Sequence, residues 1–313
     1  MNVLSLFDGM SCGQIALNKI GIKPNKYYAS EIEKSSINVT MKNYPDTIQL
    51  GDVKNINKND LPVDIDLLIG GSPCQSFSFA GRQKGMITNN EVEILNLEQY
   101  LRLKEEGFEF DGQSYLFWEY MRIYNLVRPK YFLLENVVMP KKWEIVLSKA
   151  IGVEPVRINS NLVSAQNRDR LYWSNIPNIT IPQDKGIILN DIIYDDSYKI
   201  FTDQRITDTK KLTKNYVKWD LSGKQYWSQQ DRAYFKEKKI CTLPKANPNN
   251  KLNIVIDYDN DIYRRIHPIE AERCQTVPDN YTLAEGVSET KRLEMLGNGW
   301  TVDVIAHIFK NLR

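Results

Sequence analysis

The first half of the chain alternates short apolar strands with amphipathic helices, and that alternation leaves few folds open. Asn2 to Phe7 is a β-like run, after which Gly9 and Gly13 open a helix reaching about Ile20. A second strand is expected over Lys26 to Ser30, a helix from Lys34 to about Asn43, and a third strand near Ile48 to Leu50. Asp66 to Ile69 (DLLI), bounded by Gly70 and Gly71, has the unbroken apolar character of a parallel strand covered on both faces. Lys130 to Glu135 (KYFLLE) repeats that pattern after a helix near Leu116 to Val127. The spacing predicts an α/β fold with an open, mostly parallel sheet.

Composition narrows the class further. With 313 residues, the chain suits one large domain or two unequal ones. It is 42% hydrophobic and 26% charged, which argues against a fibrous or largely disordered chain. No apolar run approaches the ~20 residues that span a bilayer, and the N-terminus lacks the basic region of a signal peptide. Cys12, Cys74, Cys241 and Cys274 are scattered without a CxxC pair, and His267 and His307 do not complete a ligand set. Neither a metal site nor a disulfide framework is expected, and a reducing cytoplasm suits the chain. The two histidines are expected to be packing or surface residues.

Residues 86–112 form a polar stretch with a helical centre, Leu95 to Glu106, and read as an insertion. From Ser174 to Ile262 the chain is rich in Asn, Asp, Lys, Tyr and Trp with weak periodicity, so a smaller irregular domain is expected over 174–262. Helical character is expected to return at Tyr263 and to end in a helix over Val302 to Leu312. The expected division is therefore 1–173 with 263–313, and 174–262. The net charge of +2 says little, but residues 205–251 hold 12 Lys/Arg against 4 Asp/Glu. That stretch is either a solvated face or a nucleic-acid surface, since basic residues position phosphates and aromatic and amide groups reach bases.

Several residues sit where an open α/β sheet binds ligands, at the carboxyl ends of its strands. The turn Phe7-Asp8-Gly9 exposes helix N–H groups, but it is not GxGxxG, which argues against a nicotinamide-dependent oxidoreductase. Glu31 is either a ribose-binding acid or a helix cap. Asp52, after Gly51, either accepts from an adenine amine or caps a turn. Cys74 lies in Gly70-Gly71-Ser72-Pro73-Cys74-Gln75-Ser76-Phe77-Ser78, in the turn after a buried strand rather than inside the strand. A thiol there is either structural or a nucleophile that needs local activation.

Four motifs occur in order: Pro73-Cys74-Gln75, Glu135-Asn136-Val137, Gln166-Asn167-Arg168-Asp169-Arg170, and Gly297-Asn298. Together they resemble the DNA cytosine-C5 methyltransferases, of the phage and bacterial type found in restriction-modification, over residues 1–173 and about 263–313. The tRNA-methylating branch, in which Pro-Cys-Gln is typically replaced, fits less well. The resemblance implies a Rossmann-like S-adenosyl-L-methionine-dependent fold with a smaller target-recognition domain. It implies a cytoplasmic enzyme acting on double-stranded DNA, a monomer by default, with no metal and no membrane. A catalytically dead DNA-binding relative is the rival, and intact Cys74, Glu135 and Arg168 argue against it.

The resemblance also implies roles. Cys74 would attack C6 of a flipped-out cytosine so that C5 can take the methyl group. Glu135, protonated or sharing a proton, would meet N3 and the exocyclic amine. Arg168 would hold the cytosine O2, with Arg170 either supporting that geometry or pairing with a carboxylate of the scaffold. Gln75 and Ser78, with Gly81 to Gly85, resemble the loop that closes over DNA. S-adenosyl-L-methionine, leaving as S-adenosyl-L-homocysteine, would lie against Phe7, Asp8, Gly9, Glu31, Ile32, Asp52, Val53, Pro73, Leu116 and Asn298. Trp300 either covers the cofactor or fills core. Tyr216, Trp219, Tyr226, Trp227, Tyr234 and Phe235 fall in the interval of the target-recognition domain, and Lys239 to Leu243 resembles its closing strand.

Overall fold

A computed structural model describes residues 1–61, 64–73, 77, 85–202, 211–218, 232–244 and 252–312, with the backbone alone at 211, 212 and 218. Cys74, Gln75, Ser78 and residues 81–84, like Trp219, Tyr226 and Trp227, lie outside the described residues. The chain divides into two compact units, 1–158 with 169–181 and 306–313, and 159–168 with 182–305.

In the first unit the elements run β1 (Asn2–Leu6), α1 (Cys12–Lys19), β2 (Lys26–Ser30), α2 (Lys34–Asn43), β3 (Ile48–Gln49) and β4 (Leu67–Gly71). They continue with β5 (Ile87–Thr88), α3 (Leu97–Glu105), β6 (Phe110–Asp111), α4 (Phe117–Val127), β7 (Tyr131–Val137), α5 (Lys141–Ile151) and β8 (Val156–Asn159). After β9 (Gln166–Asn167), which belongs to the other unit, comes β10 (Asp169–Ser174). Seven of these strands form one sheet in the order β3-β2-β1-β4-β7-β10-β8. The strands from β3 to β7 are parallel, and β10 runs antiparallel to β7. The strand order reverses between β1 and β4, so the crevice outside their carboxyl ends is a topological switch point.

Gly13 lets α1 approach the sheet: a Cβ there would stand 2.3 Å from Ile69 Cδ1 and 2.8 Å from the Tyr27 hydroxyl. β4 and β7 bury their apolar runs completely, with Leu67, Leu68, Ile69, Leu133 and Leu134 at 0% exposure. That agrees with strands covered on both faces. The stretch read as an insertion is folded onto this unit. β5 pairs with β6, and α3 turns Tyr100 and Leu103 into the large core with Trp118 and Tyr120.

The second unit carries a six-stranded sheet of short strands: β11 (Ile200–Thr202), β12 (Lys211–Leu212), β13 (Tyr216–Lys218), β14 (Arg232–Tyr234), β16 (Asn253–Asp257) and β17 (Ile262–Arg265). Their order is β11-β17-β16-β14-β13-β12. β15 (Ile240–Cys241) pairs separately with β9. Helices α6 (Pro268–Cys274) and α7 (Glu289–Asn298) follow, and α8 (Val302–Phe309) comes last. The sheet core is small, with Val217, Ala233, Val255 and Tyr263 buried together. A buried Arg264–Glu270 pair, 2.8 Å apart, ties β17 to α6.

One expectation is corrected here. Residues 262–265 are a strand, because Tyr263 and Arg264 pair with Val255 and Ile254 of β16, so helix begins only at Pro268. The compact units group the chain by contact, and their bounds are not those of the expected functional domains, 1–173 with 263–313, and 174–262. Residues 263–305 pack with the second unit through β17 and α6, and 159–168 joins it through the β9–β15 pairing. Both histidines have partners: His267 caps α6 and packs against Tyr194 and Tyr198, and His307 bonds Thr180. Among the described residues, no helix is long and apolar enough to cross a membrane.

Candidate active site

The turn after β1 is held in an unusual backbone conformation. Phe7, Gly9 and Ser11 all have left-handed φ values, 56°, 59° and 62°. That costs the two non-glycine residues about 1 kcal/mol or more each. Local hydrogen bonds offset the cost. Ser11 donates its hydroxyl to the Asp8 carboxylate, the Tyr27 hydroxyl donates to Asp8 at 2.8 Å, and the Asp8 N–H donates to the Ser30 carbonyl at 3.0 Å. Burial pushes the Asp8 carboxyl up to about 6, with Ser11, Ser5 and Tyr27 pulling it back and Glu31 adding to the rise.

Glu31, at the end of β2, closes the same turn. One carboxylate oxygen accepts from Gly9 N–H at 2.7 Å; the other accepts from Ile32 and Glu33 N–H at 2.7 and 2.8 Å. It therefore joins the ends of β1 and β2. A Cβ on Gly9 would meet nothing within 4 Å, so the turn opens onto free space. Ile32 is 67% exposed beside it. An apolar side chain, an acid and open space at the switch point suit an adenosine-bearing cofactor.

Asp52 is a cap in this structure. Its carboxylate accepts from Lys54 N–H at 3.0 Å at the head of a 3-10 turn, Val53–Asn55, and lies 3.3 Å from Lys54 Nζ. It is partly exposed, so lone pairs remain for a ligand. Val53 is buried in the core, and Leu116 and Pro73 are half-buried at the head of α4 and just after β4. In the second unit Asn298 is exposed at the end of α7 and Trp300 is buried. Among the described residues no group of side chains could hold a metal ion.

The polar centre of the first unit lies where β4, β7 and β10 meet. Glu135 is in register with Gly71 on one side and Tyr172 on the other. Its carboxylate meets Arg170 Nε at 2.9 Å, and both side chains are nearly buried. Next to it, Asn136 donates to the Ser72 hydroxyl at 3.0 Å and carbonyl at 3.3 Å. Asn136 thus clamps the residue two before Cys74, a role the sequence reading did not assign. Its signal was a buried amide ending an apolar strand.

The two arginines expected to share one task fall in different compact units. Arg168 belongs to the second unit, where it is buried and donates to the carbonyls of Gly297 and Gly299 at 3.1 and 2.7 Å, on either side of Asn298. Its guanidinium fixes the backbone that presents Asn298. Arg168, expected to hold the cytosine oxygen, makes these two backbone bonds in the structure. The arginine on the carboxylate is Arg170, which lies on β10 beside β7 and whose guanidinium reaches Glu135.

The family model of the C-5 cytosine-specific DNA methylases matches residues 1–313. The type II methyltransferase M1.ScrFI of Lactococcus lactis subsp. cremoris is 29% identical over 337 residues, covering 99% of this chain and 77% of that protein. The orphan methyltransferase M.SPRI of Bacillus phage SPR is 33% identical over 185 residues, 55% of this chain and 37% of that protein. The solved S. pombe Dnmt2 methyltransferase has a TM-score of 0.68 at 16% identity, covering 99% of this chain and 97% of the other, a likeness of fold. The chain therefore belongs to the C-5 cytosine-specific DNA methylases, enzymes that move a methyl group from S-adenosyl-L-methionine to carbon 5 of cytosine in DNA.

Proposed function

We propose that the chain methylates a cytosine swung out of duplex DNA, with Cys74 as nucleophile and Glu135 and Arg170 on the ring. Cytosine C5 is a poor nucleophile. Addition of the Cys74 thiolate to C6 makes the ring an enamine, whose C5 then attacks an electrophilic methyl group. S-adenosyl-L-methionine supplies that methyl group as a sulfonium. Loss of the C5 proton to a base and expulsion of the Cys74 thiolate restore the aromatic ring.

Negative charge spreads over the ring as sulfur adds. Glu135 would meet N3 and the exocyclic amine, and Arg170, 2.9 Å from that carboxylate, would offset the charge at O2. Asn136 would fix the turn carrying Cys74 through Ser72. Glu31 would take the ribose hydroxyls, Ile32 and Phe7 the adenine faces, and Asp52 the adenine amine. Unstacking the target costs a few kcal/mol, which contacts to the DNA must supply. The second unit, with basic and aromatic residues such as Tyr216, Arg232 and Tyr234 on neighbouring strands, would make those contacts.

The observation that carries this reading is the buried Glu135–Arg170 pair on the strand beside the one leading into Pro73-Cys74. Incubation of duplex plasmid with methyl-labelled S-adenosyl-L-methionine, followed by bisulfite sequencing, tests it. We expect label in DNA and protected cytosines at one short motif. Label in tRNA alone, or in no nucleic acid, would refute the reading.

A further inference from the structure

The reaction above leaves residues 86–112 without a task, yet this stretch is wired into the first unit by a chain of charges. Glu119 on α4 is completely buried. Its carboxylate receives the Tyr100 hydroxyl at 2.5 Å and Lys104 Nζ at 2.5 Å, both from α3, and Arg122 Nε at 2.6 Å. The two remaining Arg122 amines donate to the carbonyls of Ile56 and Val53 at 2.8 and 2.9 Å. Those carbonyls belong to the short turn that Asp52 caps.

An aromatic path follows the same route. Phe110 of β6 stacks on Tyr115 at 4.6 Å and packs on Tyr100 at 5.1 Å. Tyr115 precedes Leu116, and its electrostatic neighbours are Lys54, Glu119 and Asp52. Burying a carboxylate with its cations is costly, and apolar contacts alone would pin α3 more cheaply. The polar chain instead ends on the backbone of one turn.

We propose that Glu119 and Arg122 are positioning residues for the cofactor, and that residues 86–112 brace them so that the 52–56 turn presents Asp52 to the adenine amine. The brace sets both affinity for the adenine end of the cofactor and selection of adenine over other bases. This rests on Asp52 being the adenine contact.

The test is calorimetry on the full chain with two probes, S-adenosyl-L-homocysteine and its inosine counterpart, in which a carbonyl replaces the adenine amine. The wild type should bind the adenine probe about tenfold or more tightly than the inosine probe, because a carbonyl in place of the amine faces the Asp52 carboxylate with no hydrogen to donate. Arg122→Ala should weaken the adenine probe about tenfold and erase most of the preference, from the loss of charged hydrogen bonds to the turn. DNA affinity should stay within about twofold, and kcat at saturating cofactor within about threefold. Arg122→Lys, with one amine for two carbonyls, should fall between. Tyr100→Phe, which removes one hydroxyl and keeps the packing, should shift the preference in the same direction by less. If Arg122→Ala does not fold, these two variants decide.

Asp52→Ala separates the two levels of the argument. If it abolishes the preference while folded Arg122→Lys and Tyr100→Phe keep it in full, the brace is refuted and the adenine contact stands. If the wild type shows no preference and Asp52→Ala changes nothing, the adenine contact itself fails and the brace with it.

Discussion

The two sheets of this molecule are built on different terms. In the seven-stranded sheet the central strands are parallel and buried, and polar side chains gather at their carboxyl ends: Asp8, Glu31, Glu135, Asn136. In the six-stranded sheet the strands are two to five residues long and the shared core is four buried residues. There cations lie over rings instead, Arg232 over Tyr216 at 4.8 Å and Arg265 over Phe201 at 4.7 Å. The first sheet over-determines a few positions at one edge. The second spreads charge and aromatic surface over a light frame. Under the proposed function, the former would serve the chemistry and the latter the reading of a polyanion.

That contrast can be broken or sharpened by experiment. The largest effect belongs to the chemical edge: Cys74→Ser should lower turnover at least about a thousandfold while S-adenosyl-L-homocysteine binding is retained. Single-turnover assays with calorimetry check it, and near-normal turnover would break the contrast at its strongest point. In the second unit the largest effect should be on stability. Arg264→Ala leaves buried Glu270 without its partner and should cost about 3–5 kcal/mol in denaturant unfolding. Arg170→Ala should reduce turnover about a hundredfold by removing charge beside Glu135, whereas Arg168→Ala should first lower stability by freeing the Gly297 and Gly299 carbonyls. Equal kinetic defects with equal stability would erase the distinction drawn between them.

Asp8 makes a pH prediction. Its folded carboxyl is raised by burial from 3.8 to about 6. The fold therefore binds the proton more tightly than the unfolded chain does. The stabilisation is full below about pH 3.8 and is lost as pH rises through about 6. Asp8→Asn should remove about 3 kcal/mol of this pH dependence between those limits, read as the wild-type minus variant difference in unfolding free energy. A flat difference would refute it. The smallest effect concerns the second unit: Lys214→Ala should lower the salt dependence of DNA binding by about one log–log unit at most and leave cofactor affinity unchanged.

The parallel strands were readable because burial on both faces writes an unbroken apolar run, as in Asp66 to Ile69 and Lys130 to Glu135. Elements with mixed faces were not. Helix α5 went unread, although Trp143, Leu147 and Ile151 are buried along it at helical spacing. Helix was expected from Tyr263, where β17 stands instead; its two arginines hide the strand pattern, and Arg264 is buried there against Glu270 and Asp196. Motif order singled out Glu31, Glu135 and Arg170, and the structure places Glu31 at the end of β2 and Glu135 against Arg170. That Arg168 and Arg170 fall in different compact units was not legible, since residues two apart in sequence carry no sign of it. Nor could spacing reveal that Glu119 draws on Tyr100 and Lys104, 19 and 15 residues away.

The central claim is a sulfur–carbon bond between Cys74 and the target ring. A duplex carrying 5-fluorocytosine at the methylated position has no proton to lose from C5, so the enzyme cannot release it. With S-adenosyl-L-methionine present, the account predicts a denaturation-resistant adduct whose mass is protein plus DNA plus one methyl group, mapped by peptide sequencing to Cys74 and absent in Cys74→Ser. Methylation of the ordinary duplex without any adduct on the fluorinated one, or an adduct at another residue, would contradict it.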